Sequence, residues 1–296
     1  GGSHSDGSFL YGKDNRYMTV TVDMLNHGRS GKIENLTWEE CIDSVKAVID
    51  TYGMKRVHFV GHSLGADTAM MYAKKYPKDV ADIILLDRAY YNYSDVARFN
   101  FTPSFYKTAE YNPGSGLEYN LFCNLVDMSL ENDISKTWDL KKNVLLLAAD
   151  PYWPATKNGE PGIAEYIESV KKSPDDFGIP LGQASSLPDI SPDNLNDYME
   201  FLRGRILEFA EVNQHFYVVQ TPFEHAMVYN EAAKPEILGF VLEFIKNNDK
   251  SVAVYNIEKK LKDNKFESKS LKDILKDCKG AKGSENDSLN SPLHEI

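Results

Sequence analysis

The feature that most narrows the fold is a five-residue junction, Gly61-His62-Ser63-Leu64-Gly65, set between the apolar run RVHFV (56–60) and a helix pattern, LGADTAMMYAKKY (64–76). A chain that leaves a buried strand and enters a helix without a loop must turn sharply. Small residues on both sides of the turn allow this and leave the middle side chain standing clear of the backbone. The surroundings repeat the same alternation. Thr37 and Glu40 form a T-x-x-E capping box ahead of a helix pattern that runs to about Tyr52 and stops at Gly53. Ile83–Leu86, Val144–Ala149 and Phe216–Gln220 are short, continuous apolar runs, the pattern of strands covered on both faces of a parallel sheet. Strands alternating with helices over short connections predict an α/β fold: a mostly parallel sheet flanked by helices.

Other segments are placed around that frame. Tyr17–Leu25, rich in β-branched and apolar residues and ended by Asn26-His27-Gly28, reads as a further strand. Residues 1–12 read as a loop with a turn of helix. Residues 90–142 loosen into aromatics and Asn around a Pro-Gly-Ser-Gly turn, which suggests a helical lid, and 151–212 begins with a second Gly- and Pro-rich excursion. Within it Ser191-Pro192 opens a helix to about Ala210, and Pro235–Asn247 forms another with Ile237, Phe240, Val241 and Phe244 on one face. The expected organisation is therefore a core from 1–89 and 143–248, a lid at 90–142, a second insertion at about 151–212, and a charged, partly disordered tail at 249–296.

Composition removes several function classes. With 42% hydrophobic and 26% charged residues the chain is globular. A formal net charge of −11 repels phosphate backbones, so nucleic acid is not expected as a partner. No apolar run approaches the ~20 residues that span a bilayer, so no integral membrane segment is expected. Three scattered cysteines, Cys41, Cys123 and Cys278, make neither a disulfide framework nor a zinc site, and fit a reducing compartment such as the cytoplasm. No dinucleotide fingerprint, H-E-x-x-H, CxxC pair or EF-hand loop occurs, so no cofactor and no metal is implied. Oligomeric state is not legible.

With the strand before it and the helix after it, the G-x-S-x-G resembles the nucleophile elbow of the α/β-hydrolase superfamily, and the resemblance continues along the chain. Val22–Ser30 (VDMLNHGRS) is similar to the D-x-x-G-H-G-x-S segment that follows the fourth strand of that fold. Tyr76-Pro77 and an apolar strand ending in Asp87 match the stretch after the elbow, Val144–Asp150 looks like the strand that presents the acid, and Phe223-Glu224-His225 looks like the histidine loop. The resemblance covers about 20–248 apart from the two excursions. It implies a catalytic Ser63 with His225 as its base.

Chemistry demands the same partners. A serine hydroxyl needs a base with a pKa near the working pH, and histidine supplies it. Of seven histidines, His58 lies inside a strand and reads as a core residue, His27 belongs to a structural loop, and His4 and His294 sit near the ends. His215 precedes a strand, and His62, next to Ser63, reads as lining the substrate pocket. His225 follows a strand and precedes the last helix. The resemblance puts the acid at Asp150, with Asp87 at the end of the preceding strand as the alternative. It also implies an oxyanion hole from the backbone N–H of Leu64 and a second donor at Gly2 or Ser3. The third strand of that fold has no counterpart here. Unpaired buried edge groups cost on the order of 1–3 kcal/mol each, so the expectation is an N-terminally truncated chain.

The leading functional expectation is a serine hydrolase that cleaves a carboxylic ester of a small molecule through a Ser-His-Asp triad and an acyl-enzyme. Thioester, amide or carbon–carbon bond hydrolysis, or acyl transfer to an alcohol, are alternatives on the same triad. A catalytically inactive binding protein that keeps the fold is the alternative of another class.

Overall fold

The computed structural model describes residues 4–11, 17–97, 117–149, 172, 192–213, 215–223, 225 and 227–247. In chain order the elements are α1 (Trp38–Thr51), β1 (Val57–His62), α2 (Leu64–Lys75), β2 (Val80–Leu86), the short α3 (Tyr93–Ala97), α4 (Leu117–Glu131), β3 (Asn143–Ala148), α5 (Pro192–Val212), β4 (Phe216–Gln220) and α6 (Ala233–Asn247). Short 3-10 helices occupy His4–Leu10, Ile134–Thr137 and Met227–Tyr229. The four strands form one parallel sheet in the order β1-β2-β3-β4.

The alternation of side chains along these strands explains the layers. Ile83 and Leu85 of β2, Val144 and Leu146 of β3, and Phe216 and Val218 of β4 enter one core with Ile42, Val45 and Ile49 of α1, Met70 of α2 and Phe209 of α5. The intervening residues Ile84, Leu86, Leu145, Leu147, Tyr217 and Val219 enter a second core with Ile237, Phe240, Val241 and Phe244 of α6. Each face of the sheet is thus sealed by helices. Burying one such aliphatic side chain is worth about 1.5–3 kcal/mol. Trp138 and Phe216 both stack on Phe209, at 5.1 and 4.4 Å, which ties the 134–137 turn to the end of the sheet.

The capping box forms as expected. Glu40 N–H donates to the Thr37 hydroxyl, and the Thr37 N–H donates to the Glu40 carboxylate at 2.9 Å. Cys41 is 1% exposed on the buried face of α1, and burial pushes its thiol up to about 11. A thiol so placed is a packing residue.

Tyr17–Leu25 does not form the expected strand. It makes no ladder and runs beside β1, with the Tyr17 ring edge-on to His58 at 6.3 Å and Val20 against the first core. β-branched composition makes extended backbone easy, but a strand exists only where another backbone accepts its N–H groups. Among the described residues β1 pairs with β2 alone. The chain then closes into a compact turn in which Ser30 donates to the Asp23 carbonyl and Arg29 N–H to the Asp23 carboxylate. Gly28, at φ +49°, sits so close to that carboxylate that a Cβ would overlap it.

Candidate active site

The C-terminal ends of β1, β2 and β4 converge. β1 runs straight into α2 at Ser63, whose backbone is held at φ 52°, ψ −120°, a strained setting for a residue with a side chain. Gly61 permits the turn: a Cβ there would overlap the Gly65 carbonyl group. Ser63 N–H donates to the Leu86 carbonyl at 3.3 Å, which fixes the turn to β2. The N–H groups of Leu64 and Gly65 at the start of α2 lack intrahelical acceptors by the geometry of any helix start, whereas the Ala66 N–H already donates to the Ser63 carbonyl at 2.9 Å.

The Ser63 Oγ lies 3.1 Å from Nε2 of His225, and Nδ1 of His225 lies 2.9 Å from Oδ2 of Asp87. Three residues separated by as many as 162 positions thus form one hydrogen-bonded line. Asp87 is 5% exposed and comes directly after β2, with φ 51°. Its other oxygen, Oδ1, accepts the Ala149 N–H at 2.7 Å and the Tyr90 hydroxyl at 3.2 Å. Its own N–H donates to the Leu147 carbonyl, so the end of β3 holds the carboxylate from two sides. Two donors on one oxygen leave Oδ2 for the imidazole, which is therefore a donor at Nδ1 and an acceptor at Nε2 when neutral.

The remaining sequence-selected residues fall as follows. Asp150, Gly2 and Ser3 lie outside the described residues. Leu64 lines the cavity with Ser63. His62 also lines it, and its Nε2 lies 2.7 Å from the His225 backbone carbonyl, so this nitrogen donates. The His62 and His225 rings are 5.0 Å apart, and Tyr229 meets His62 edge-on at 6.2 Å. Burial, with His225 adding to it, draws the His62 pKa down to about 4. His58 is 1% exposed with Nδ1 2.6 Å from Asp82, a core pair inside the sheet. His27 is pinned through Nδ1 to the Leu25 carbonyl, and burial lowers its pKa.

Two features had no sequence signal beyond ordinary residue types. Tyr90 and the Ala149 N–H support Asp87 as described. Arg88, the next residue, turns away and meets Asp67 of α2 through Nε and Nη2, both at 3.1 Å, with both side chains buried. Its guanidinium lies over the rings of Tyr91 and Tyr93, at 4.8 and 4.9 Å. The pair links the helix behind Ser63 to the loop that carries Asp87.

The cavity that exposes Ser63 and His225 measures about 420 Å³. Apolar side chains form much of its wall, among them Phe9, Leu10, Val20, Val22, Met24, Phe59, Val60, Leu86 and Val228. Its polar residues among those described are threonines, histidines, Ser63 and Tyr229, with no acidic, Lys or Arg side chain among the described residues lining it. Among the described residues there is no cluster of metal-ligating side chains, and no helix is long and apolar enough to cross a membrane.

A family described as alpha/beta hydrolase fold matches residues 1–115. Ethanol acetyltransferase 1 of Cyberlindnera fabianii is 23% identical over 271 residues, 80% of each chain. Ethanol acetyltransferase 1 of Cyberlindnera jadinii is 36% identical over 69 residues, and that match spans 23% of this chain and 20% of the relative. Among solved structures, an esterase from Exiguobacterium antarcticum is similar at 12% identity and a TM-score of 0.49, covering 83% of this chain and 88% of that one.

Proposed function

We propose that this chain is a serine acyl hydrolase of the α/β-hydrolase superfamily, with Ser63 as nucleophile, His225 as base and Asp87 as acid; the family match over residues 1–115 supports the superfamily. The observation that carries the reading is the hydrogen-bonded line from Ser63 through His225 to Asp87, at 3.1 and 2.9 Å. His225 Nε2 removes the hydroxyl proton as Ser63 Oγ bonds to the substrate carbonyl carbon. Asp87 keeps the Nδ1–H tautomer and stabilises the imidazolium that forms. The Leu64 N–H, at the positive end of α2, takes charge from the carbonyl oxygen. Collapse of the tetrahedral intermediate transfers the proton from His225 to the leaving alcohol and leaves Ser63 acylated. Water, deprotonated by the same histidine, then releases the acid.

A carboxylic ester of a small substrate suits a cavity of this volume whose described walls are largely apolar. Acyl transfer is the second reading, favoured by the match to Ethanol acetyltransferase 1 over 80% of both chains. In that case an alcohol replaces water in the second half-reaction, and the first half is unchanged. A fluorophosphonate probe tests both readings at the shared step. The expected result is labelling that vanishes in Ser63→Ala; no labelling of the folded chain would favour a binding protein instead. With p-nitrophenyl acetate as donor, ethyl acetate formed in the presence of ethanol would mark transfer, and acetate alone would mark hydrolysis.

A further inference from the structure

We propose that His62 is a positioning residue that clamps the histidine-bearing loop to the nucleophile turn, through a hydrogen bond from its Nε2–H to the backbone carbonyl of His225. The inference rests on the reading of Ser63 and His225 given above, and it assigns to His62 a task other than touching substrate. The 2.7 Å contact fixes the proton, because a carbonyl oxygen only accepts. The ring is wedged between two residues of one short segment, His225 at 5.0 Å and Tyr229 at 6.2 Å. It projects from the last residue of β1, whose partner in the sheet is Leu86, adjacent to Asp87. The clamp therefore joins the end of the sheet that carries both Ser63 and Asp87 to the backbone of the base.

The need for such a clamp follows from what the other contacts do during turnover. The side chain of His225 is 38% exposed. Its bond to Ser63 exists only while Ser63 bears a free hydroxyl, and it disappears on acylation. Upstream, the loop is tied at Thr221, whose N–H and hydroxyl both donate to the Ala148 carbonyl, four residues away. In the acyl-enzyme the base is then held by Asp87 at its side chain and by His62 at its backbone. A ring that stays neutral serves this place well, since a cation 5.0 Å from the imidazolium would oppose proton abstraction. Burial holds His62 neutral down to about pH 4, so its N–H donates to the carbonyl without carrying charge.

The consequence is that losing the bond should slow deacylation more than acylation. His62→Phe keeps a ring of similar size and removes the donor; His62→Gln can place an amide N–H near the position of Nε2. Single-turnover measurements with a p-nitrophenyl ester would follow acylation by nitrophenolate release and deacylation by mass spectrometry of the acyl-enzyme. The expected result for His62→Phe is a roughly 10- to 100-fold fall in deacylation, the scale of a misplaced catalytic group. His62→Gln should recover to within about threefold of wild type, the difference of a fraction of one hydrogen bond. Equal rates for His62→Phe and wild type would overturn the clamp. So would an equal loss in both variants, which would assign the effect to the ring alone. The 15N spectrum of the wild-type imidazole offers a check that needs no variant: a neutral Nε2–H tautomer at pH 7 supports the clamp, and an Nδ1–H tautomer overturns it. Failure of Ser63→Ala to abolish acylation would instead refute the functional reading, so the two outcomes are separable.

Discussion

Replacing Asp87 by Asn is the most demanding test, because the surrounding donors dictate how the amide must sit. Oδ1 of Asp87 receives two donors, Ala149 N–H at 2.7 Å and Tyr90 O–H at 3.2 Å, and Oδ2 faces His225 Nδ1 at 2.9 Å. An asparagine can satisfy the two donors only with its carbonyl oxygen, which turns its NH2 toward the imidazole. Nδ1 must then accept, the ring proton moves to Nε2, and Nε2 can no longer take the proton of Ser63. At 5% exposure the side chain is largely closed off from bulk solvent, so the protein donors dictate the arrangement. A wrong tautomer of this kind lowers turnover by about 10⁴-fold, which corresponds to about 5.4 kcal/mol of barrier. Folding should change by only about 1 kcal/mol, because the two strong donors keep their acceptor. Second-order rates of phosphonate labelling, with urea unfolding as a control, measure both quantities. Asp150→Asn should change the labelling rate by no more than a few-fold. Folded Asp87→Asn protein that labels within tenfold of wild type, or an Asp150→Asn loss of comparable size, would refute the assignment.

Asp67→Ala should cost about 3–5 kcal/mol in urea unfolding, because it leaves the Arg88 guanidinium buried without its carboxylate; a change below 1 kcal/mol would show that Arg88 finds water. Gly61→Ala should destabilise the fold by about 3 kcal/mol or more, since its Cβ would meet backbone rather than a movable side chain. Circular dichroism melts would detect the drop, and an unchanged melting temperature would mean the turn is looser than described. For pH, the folded pKa of His62 near 4 lies below its ordinary value of 6.5, so the unfolded chain binds the extra proton between these values. Stability therefore rises with pH across that window and is lost as pH falls through it, with a slope of up to about 1.4 kcal/mol per pH unit from this residue. His225 and Asp87 act on the His62 ring in opposite directions, the first lowering and the second raising its pKa. Unfolding free energies at pH 4.5, 5.5 and 7 should give a shallower slope for His62→Gln; parallel slopes would count against it.

How far the site could be read without coordinates varies from residue to residue. The junction at Ser63 was legible because its constraints are local: an apolar strand, a glycine on each side and a helix pattern, all within 56–76. β4 has the boundaries its pattern predicts, Phe216–Gln220, and α1 begins one residue after its capping threonine. Tyr17–Leu25 was misleading for a physical reason. Its composition favours extended backbone, whereas a strand is a relation between two backbones, and β1 finds its partner elsewhere. The supports of Asp87 were invisible, since Ala149 contributes only a main-chain N–H and Tyr90 is one of 17 tyrosines.

From the sequence alone came the alternation of helices and doubly buried strands, the sharp turn at 61–65, and a short set of histidines and aspartates at strand ends. Those properties follow from periodicity and from backbone sterics, which act over a few residues. That Asp87 faces His225, that His62 bonds to the backbone of His225, and that Arg88 reaches back to Asp67 are visible only in the packed sheet. The parallel order of β1, β2, β3 and β4 brings residues more than a hundred positions apart to one rim, and hydrogen bonds at 3 Å depend on that placement rather than on any local pattern.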